Sequence, residues 1–159
     1  MNNKLKIGWF SFSCSEDSTI IFTELLNDYY LEWRNLIDFR SMLILQKKSN
    51  PVDLDVAFIE GAITSKSQEK KLLTIRNNAK KLVAVGSCAV IGMPSSQRNT
   101  FQKDLKGEIN NVLITFDYTQ NVKKVADIVR VDDTVAGCPM NEAQFLELIN
   151  RYFKEFGIK

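Results

Sequence analysis

The 159-residue chain contains no histidine. Every Ser-His or Cys-His nucleophilic triad and every histidine-based metal site is thereby excluded, which removes many ordinary hydrolases at once. Cysteine is scarce, with three residues, and an odd count does not close into a disulfide framework. It fits a reducing compartment, where thiolates are available to metals or to chemistry. No apolar run approaches the roughly 20 residues that span a bilayer, and the start MNNKLKIGWF turns polar again at SFSCSED instead of continuing as a signal-peptide core. A soluble, cytoplasmic protein is expected. Charge is almost balanced at a formal +2, and the basic pairs Lys47–Lys48, Lys70–Lys71 and Lys123–Lys124 are isolated, so they read as solvated faces and not as a nucleic-acid footprint. Internal repeats and low-complexity tracts are also missing. The 45% hydrophobic content over this length supports one sizeable core and a single domain over residues 1–159.

The patterning alternates strands with helices. Residues 5–12 (LKIGWFSF) read as a strand apolar enough to be central, followed by a helix over about 18–31 in which Phe22, Leu25, Leu26 and Tyr29 recur at spacings of three and four. A strand is expected somewhere in NLIDFRSMLIL, closed by Asn50–Pro51, and another over 55–59, ending in Glu60–Gly61. Leu72, Ile75 and Ala79 predict a helix over 68–80, leading into a strand over 82–85 and the turn Gly86-Ser87-Cys88. The polar stretch 92–107 reads as a covering loop, 111–118 (NVLITFDY) as a strand, and 122–131 as a short helical turn and a further strand. Asn141 is placed to cap a last helix whose Phe145, Leu146, Ile149, Tyr152 and Phe153 form one stripe. This βαβ succession predicts an α/β, flavodoxin-like three-layer domain with a mainly parallel sheet.

All three cysteines sit where a strand-like run meets a turn: Cys14 in SFSCSED, Cys88 in VGSCAV, Cys138 in AGCPMN. Right-handed crossovers bring such strand ends to one edge of the sheet, with Glu60 among them. A single free cysteine is usually a small buried hydrophobe. These three are bounded by glycine, serine or proline, and turns of that kind expose backbone N–H groups that stabilise thiolates. Soft thiolate donors without histidine favour an iron–sulfur cluster over zinc. Three thiolates leave a four-iron cluster one protein ligand short. Asp17, three positions after Cys14, is either that ligand or a cap for the helix that follows; Glu16 and solvent are weaker alternatives. Ser15 and Ser87 are turn serines able to donate hydrogen bonds to sulfur, and Arg98 and Lys103 lie in the covering loop.

In their order along the chain, Cys14-Ser15-Glu16-Asp17, Glu60-Gly61, Gly86-Ser87-Cys88-Ala89 and Gly137-Cys138-Pro139 resemble the cluster-bearing N-terminal domain of the small subunit of nickel–iron hydrogenases. The compact cytoplasmic types are the nearer match, and the related subunit of respiratory complex I a more distant one. In that family a C-x-x-C pair, a glutamate–glycine pair, a G-x-C-A turn and a G-C-P turn follow successive strands. The resemblance implies one [4Fe-4S] cluster held by Cys14, Cys88 and Cys138, with the Asp17 carboxylate where the family has its second cysteine. It further implies Glu60 at a subunit interface or proton path, and a nickel–iron centre only in a partner large subunit. A further electron-transfer subunit or ferredoxin would take the electrons, because the cysteine-rich C-terminal region that carries more clusters in many relatives is absent. The glycine pair after the G-x-C-A turn is reduced here to Gly92 followed by Met93. The rival expectations are a complex I-like subunit, a flavin-binding module and a cluster-free assembly subunit. SFSCSEDST offers hydroxyls but no glycine-rich phosphate loop.

Overall fold

The structure, a computed structural model, describes residues 3–45 and 49–159; Lys47 and Lys48 lie outside the described residues. Five strands form one sheet: β1 (Leu5–Ser11), β2 (Ile37–Met42), β3 (Leu54–Glu60), β4 (Ala79–Val85) and β5 (Asp133–Val135). Their order is β2-β1-β3-β4-β5, and every neighbouring pair is parallel. The helices are α1 (Asp17–Asp28), α2 (Tyr30–Leu36), α3 (Lys66–Asn77), α4 (Gly86–Ile91), α5 (Lys103–Thr115) and α6 (Glu142–Glu155), with 3₁₀ turns at Ser95–Thr100 and Val125–Asp127. This is the expected three-layer, flavodoxin-like α/β architecture.

Alternation along the strands divides the core in two. Ile7, Trp9, Val56, Phe58, Val83 and Val85 face Phe22 and Leu25 of α1 and Phe145, Ile149, Tyr152 and Phe153 of α6. On the other face Ala57, Ile59, Leu82 and Ala84 pack with Leu72 and Ile75 of α3 and Ala89 of α4. All seven residues of β3 are buried, as a central parallel strand covered on both faces requires. Trp9 stacks on Phe22 with ring centroids 4.3 Å apart, and Phe145 meets Phe22 edge-on at 5.3 Å. Packing of that kind adds to the roughly 1.5–3 kcal/mol gained by burying each large apolar side chain.

Several boundaries differ from the sequence reading. The expected helix over 18–31 is two helices, broken at Tyr29. The expected covering loop contains a 3₁₀ turn and the first turn of α5, and the expected strand 111–118 falls largely within α5. Val112, Ile114 and Thr115 predict β-structure, but the segment is helical, with Leu113 its one buried residue and Leu105, Val112 and Ile114 exposed. The short turn after Val122 is present, while the strand comes later, at β5. Asn141 caps α6 as expected, accepting from the Gln144 backbone N–H at 2.9 Å. No helix among the described residues is long and apolar enough to cross a membrane.

Strand register fixes the functional edge. Ser11 pairs with Glu60, Glu60 with Val85, and Val85 with Val135, so four strands end in one row. Chain order reverses between β1 and β3, the position where ligands bind in open α/β sheets.

Candidate metal centre

Each cysteine follows a member of that row. Beyond β1 the chain runs beside the exit of β3: Phe12 N–H donates to the Glu60 carbonyl at 2.8 Å, and Ser13 and Ala62 exchange backbone bonds of 3.1 and 3.0 Å. Gly61 makes this approach possible. It has φ +92°, and a Cβ there would lie 2.9 Å from Phe12 C and Ser13 N. Beyond β4, Ser87 N–H donates to the Gly137 carbonyl at 2.7 Å, joining the Cys88 turn to the Cys138 turn. Gly137 has φ +117°, and a Cβ would meet the Pro139 carbonyl oxygen at 2.4 Å, so this turn excludes every side chain at that position. Met140 N–H in turn donates to Ser18 Oγ at 3.2 Å, tying the third turn to the start of α1.

The consequence is that Cys14, Cys88 and Cys138 line one open cavity of about 620 Å³, together with Ser13, Ser95, Gln68, Tyr118 and neighbouring residues. Cys14 and Cys88 are half-buried and Cys138 is exposed. Burial pushes the Cys14 thiol up to about 12, and the negative charge of Glu60 adds to the rise. Alone, that thiol keeps its proton; a metal bound there would displace it, since the thiolate is the ligand. Among the described residues no three His, Cys, Asp or Glu side chains are gathered closely enough to hold a metal ion. Three soft donors around a wide cavity suit a multi-atom body better than one ion, whose thiolates would each lie about 2.3 Å from it.

The remaining expected residues divide. Glu60 is only 3% exposed, and both its oxygens are engaged: Oε1 accepts from Ser18 N–H at 2.9 Å, and Oε2 accepts from the Thr19 hydroxyl at 2.5 Å. Thr19 Oγ1 itself accepts from Trp9 Nε1–H at 2.8 Å. A carboxylate from the end of β3 therefore caps α1, where the exposed backbone donors and the helix dipole both favour negative charge. Asp17 does not supply a cap. It is the first residue of α1, the cap position is Glu16 at φ 62° with no side-chain bond, and the Asp17 carboxylate accepts from Ser15 Oγ at 2.8 Å. Ser15 is thus turned to Asp17, and Ser87 contributes its backbone.

The serine that reaches a sulfur is Ser95, with Oγ 3.2 Å from Cys88 Sγ. Sequence reasoning places it inside a covering loop, and only the Gly92 turn before it signals that the chain folds back. Arg98 donates to the Thr119 carbonyl at 2.7 Å and lies over the ring of Tyr118, which lines the cavity. Lys103 is exposed at the start of α5.

The family described as NADH ubiquinone oxidoreductase, 20 Kd subunit, matches residues 14–152. A subunit of the F420-non-reducing hydrogenase vhu of Methanocaldococcus jannaschii is 30% identical over 130 residues, which cover 72% of this chain and 44% of that protein. The sulfhydrogenase 2 subunit delta of Pyrococcus furiosus is 24% identical over 153 residues, covering 91% of this chain and 60% of that protein. The chain thus spans about half the length of these curated relatives. Among solved structures, a chain of an NAD+-reducing [NiFe]-hydrogenase in the H2-reduced state superposes with a TM-score of 0.80 at 21% identity, covering 93% of this chain and 90% of that one.

The capping role of Glu60 has a measurable consequence. Glu60→Ala leaves the buried Ser18 N–H without its acceptor and the Thr19 hydroxyl with only Ser11 Oγ, 3.3 Å away; an unmade buried donor costs roughly 1–3 kcal/mol, so a loss of about 1–4 kcal/mol is expected in urea denaturation. An unchanged midpoint would show that α1 does not depend on this carboxylate.

Proposed function

The chain belongs to the NADH ubiquinone oxidoreductase 20 Kd subunit family, and on that premise we propose that it is a non-catalytic electron-relay subunit holding one [4Fe-4S] cluster on Cys14, Cys88 and Cys138. The observation that carries this reading is the convergence of all three cysteines on one cavity at the carboxyl edge of the sheet. When bound, such a cluster exchanges single electrons. The protein's part is to hold three sulfurs on turns that are bonded to one another, and to limit water around Cys14 and Cys88. Asp17, at the family's second cysteine position, is the proposed fourth ligand through its carboxylate; it does not itself line the cavity, but it accepts from Ser15, which does.

The hydrogen reaction has no counterpart on this chain under this reading and belongs to a large subunit with a nickel–iron centre. The two relatives described above are hydrogenase subunits, which favours that partner over a complex I-like one. Cys138 is exposed, and Ile91, Met93, Phe116 and Tyr118 present apolar surface, with Tyr118 lining the cysteine cavity itself. A partner seated there would exclude water and bring the next redox group within electron-transfer range. A further electron-transfer subunit or ferredoxin would complete the relay. Glu60 would support the cavity as a cap for α1, with both its oxygens accepting from donors within the chain.

The flavin reading meets a specific obstacle. In a flavodoxin-like sheet of this strand order the phosphate binds at the β1/β3 switch point, against a helix N-terminus. Here the Glu60 carboxylate takes the Ser18 N–H and the Thr19 hydroxyl at that point. A phosphate would have to displace a buried carboxylate of its own charge sign.

Anaerobic purification followed by iron and acid-labile sulfide analysis is expected to give the content of one four-iron, four-sulfide cluster per chain, with an electron paramagnetic resonance signal after reduction. Stoichiometric zinc without iron after native expression would contradict the assignment. Asp17→Asn is expected to alter that spectrum and hasten cluster loss; if spectrum and lifetime are both unchanged, the fourth ligand is not Asp17.

A further inference from the structure

We propose that Ser95 donates its hydroxyl proton to the sulfur of Cys88 and thereby raises the reduction potential of the cluster; the inference rests on the reading that Cys88 is a cluster ligand. Ser95 Oγ lies 3.2 Å from Cys88 Sγ and 3.4 Å from the Ser13 carbonyl oxygen. A serine hydroxyl has one proton to give, so these two acceptors compete for it. The Ser13 carbonyl already accepts from Ala62 N–H at 3.0 Å, and 3.4 Å is long beside the usual 2.7–2.8 Å or so of an O–H···O bond. The sulfur is the closer and less committed acceptor.

Protonation decides the direction of the bond. As a thiol, Cys88 is able to donate to Ser95 or to accept from it; as a thiolate bound to iron, it has no proton and only accepts. Binding a metal would thus turn the Ser95 proton toward the sulfur and make the bond charge-assisted, roughly twice as strong as a neutral one. The bond is strongest when the cluster is most negative. It therefore stabilises the reduced state more than the oxidised state, and the potential rises.

The position of Ser95 is built by the turn after α4. Gly92 has φ +84° and donates its N–H to the Cys88 carbonyl at 3.1 Å, reversing the chain over the cysteine it has just left. Ser96 N–H then closes onto the Gly92 carbonyl at 2.8 Å, and Ser96 Oγ lies 3.2 Å from Met93 Sδ. Ser95 is thus held by the same short segment that carries its acceptor, and it lines the same cavity as all three cysteines. The three serines next to a cysteine in sequence do not share this arrangement: the Ser13 hydroxyl is bonded to that of Thr64 at 2.7 Å, Ser15 donates to Asp17, and the Ser87 N–H is engaged with Gly137.

The test compares wild type, Ser95→Ala and Ser95→Thr in the full chain, purified anaerobically in the assembly in which it occurs. Midpoint potentials are read by mediated titration, and iron–thiolate stretching by resonance Raman in H2O and D2O. A lower midpoint in Ser95→Ala, wild-type behaviour in Ser95→Thr, and a D2O-sensitive stretch in wild type and Ser95→Thr alone support the proposal. A cluster in all three proteins with one midpoint and no D2O effect overturns it while leaving the cluster assignment intact. Should Ser95→Ala lose its cluster, the D2O effect in the other two decides: its presence supports the proposal, its absence overturns it. Wild type without iron or sulfide refutes the cluster assignment itself, and the role of Ser95 with it.

Discussion

The start of α1 is the joint on which the carboxyl edge of the sheet depends. Ser18 is 2% exposed and bonds in two directions: its N–H donates to Glu60 at the end of β3, and its hydroxyl accepts from Met140 N–H just past Cys138. A Cβ on Gly86, at the head of the Cys88 turn, would stand only 3.0 Å from the same hydroxyl. Three segments distant in sequence are thereby indexed to one small residue through its backbone and its hydroxyl, with Cys14 a few residues upstream of it. Each group at this joint is buried, so an unmade bond carries the full cost of desolvation, and the arrangement is held as a unit.

Much of this was legible in the sequence because the signals were local and mutually consistent. The apolar runs of β1, β3 and β4, each followed by a turn, predicted a parallel sheet, and the cysteines and Glu60 fell at its predicted edge. Asn141 and the predicted stripe Phe145, Leu146, Ile149, Tyr152 and Phe153 specified α6 down to its cap, although Leu146 is only partly buried and Leu148 takes a core position instead. Illegible parts were those set by tertiary contact. The run 111–118 has β-branched residues and too few buried positions to reveal its period, since Leu113 is the one buried residue of α5. Asp17 carries every local mark of a helix cap, yet a carboxylate far away in sequence takes that place. Ser95 has no periodic or motif signal at all, and its approach to Cys88 arises from the reversal at Gly92.

A division of labour follows among the polar groups near the cysteines. Glu60 neutralises the donors at the head of α1 without offering an oxygen to the cavity, while its charge, with burial, keeps Cys14 protonated in the absence of a cation. Ser95 and the turn backbones are what remain to favour negative charge on sulfur. The balance leaves Cys14 poor as a free thiol nucleophile, because the thiolate needed for nucleophilic attack is disfavoured there. Cys138, by contrast with Cys14, is exposed. Its exposure leaves it dependent on whatever packs against this face.

The central claim is that the three cysteine turns converge in order to enclose one iron–sulfur cluster. Anomalous diffraction at the iron edge from anaerobically grown crystals tests it most directly. The account predicts a compact four-iron density in the cavity, bonded to Cys14, Cys88 and Cys138. Iron bound elsewhere on the chain, or ordered cysteine side chains around a cavity without iron in protein that retains its full native complement of metal, would contradict it.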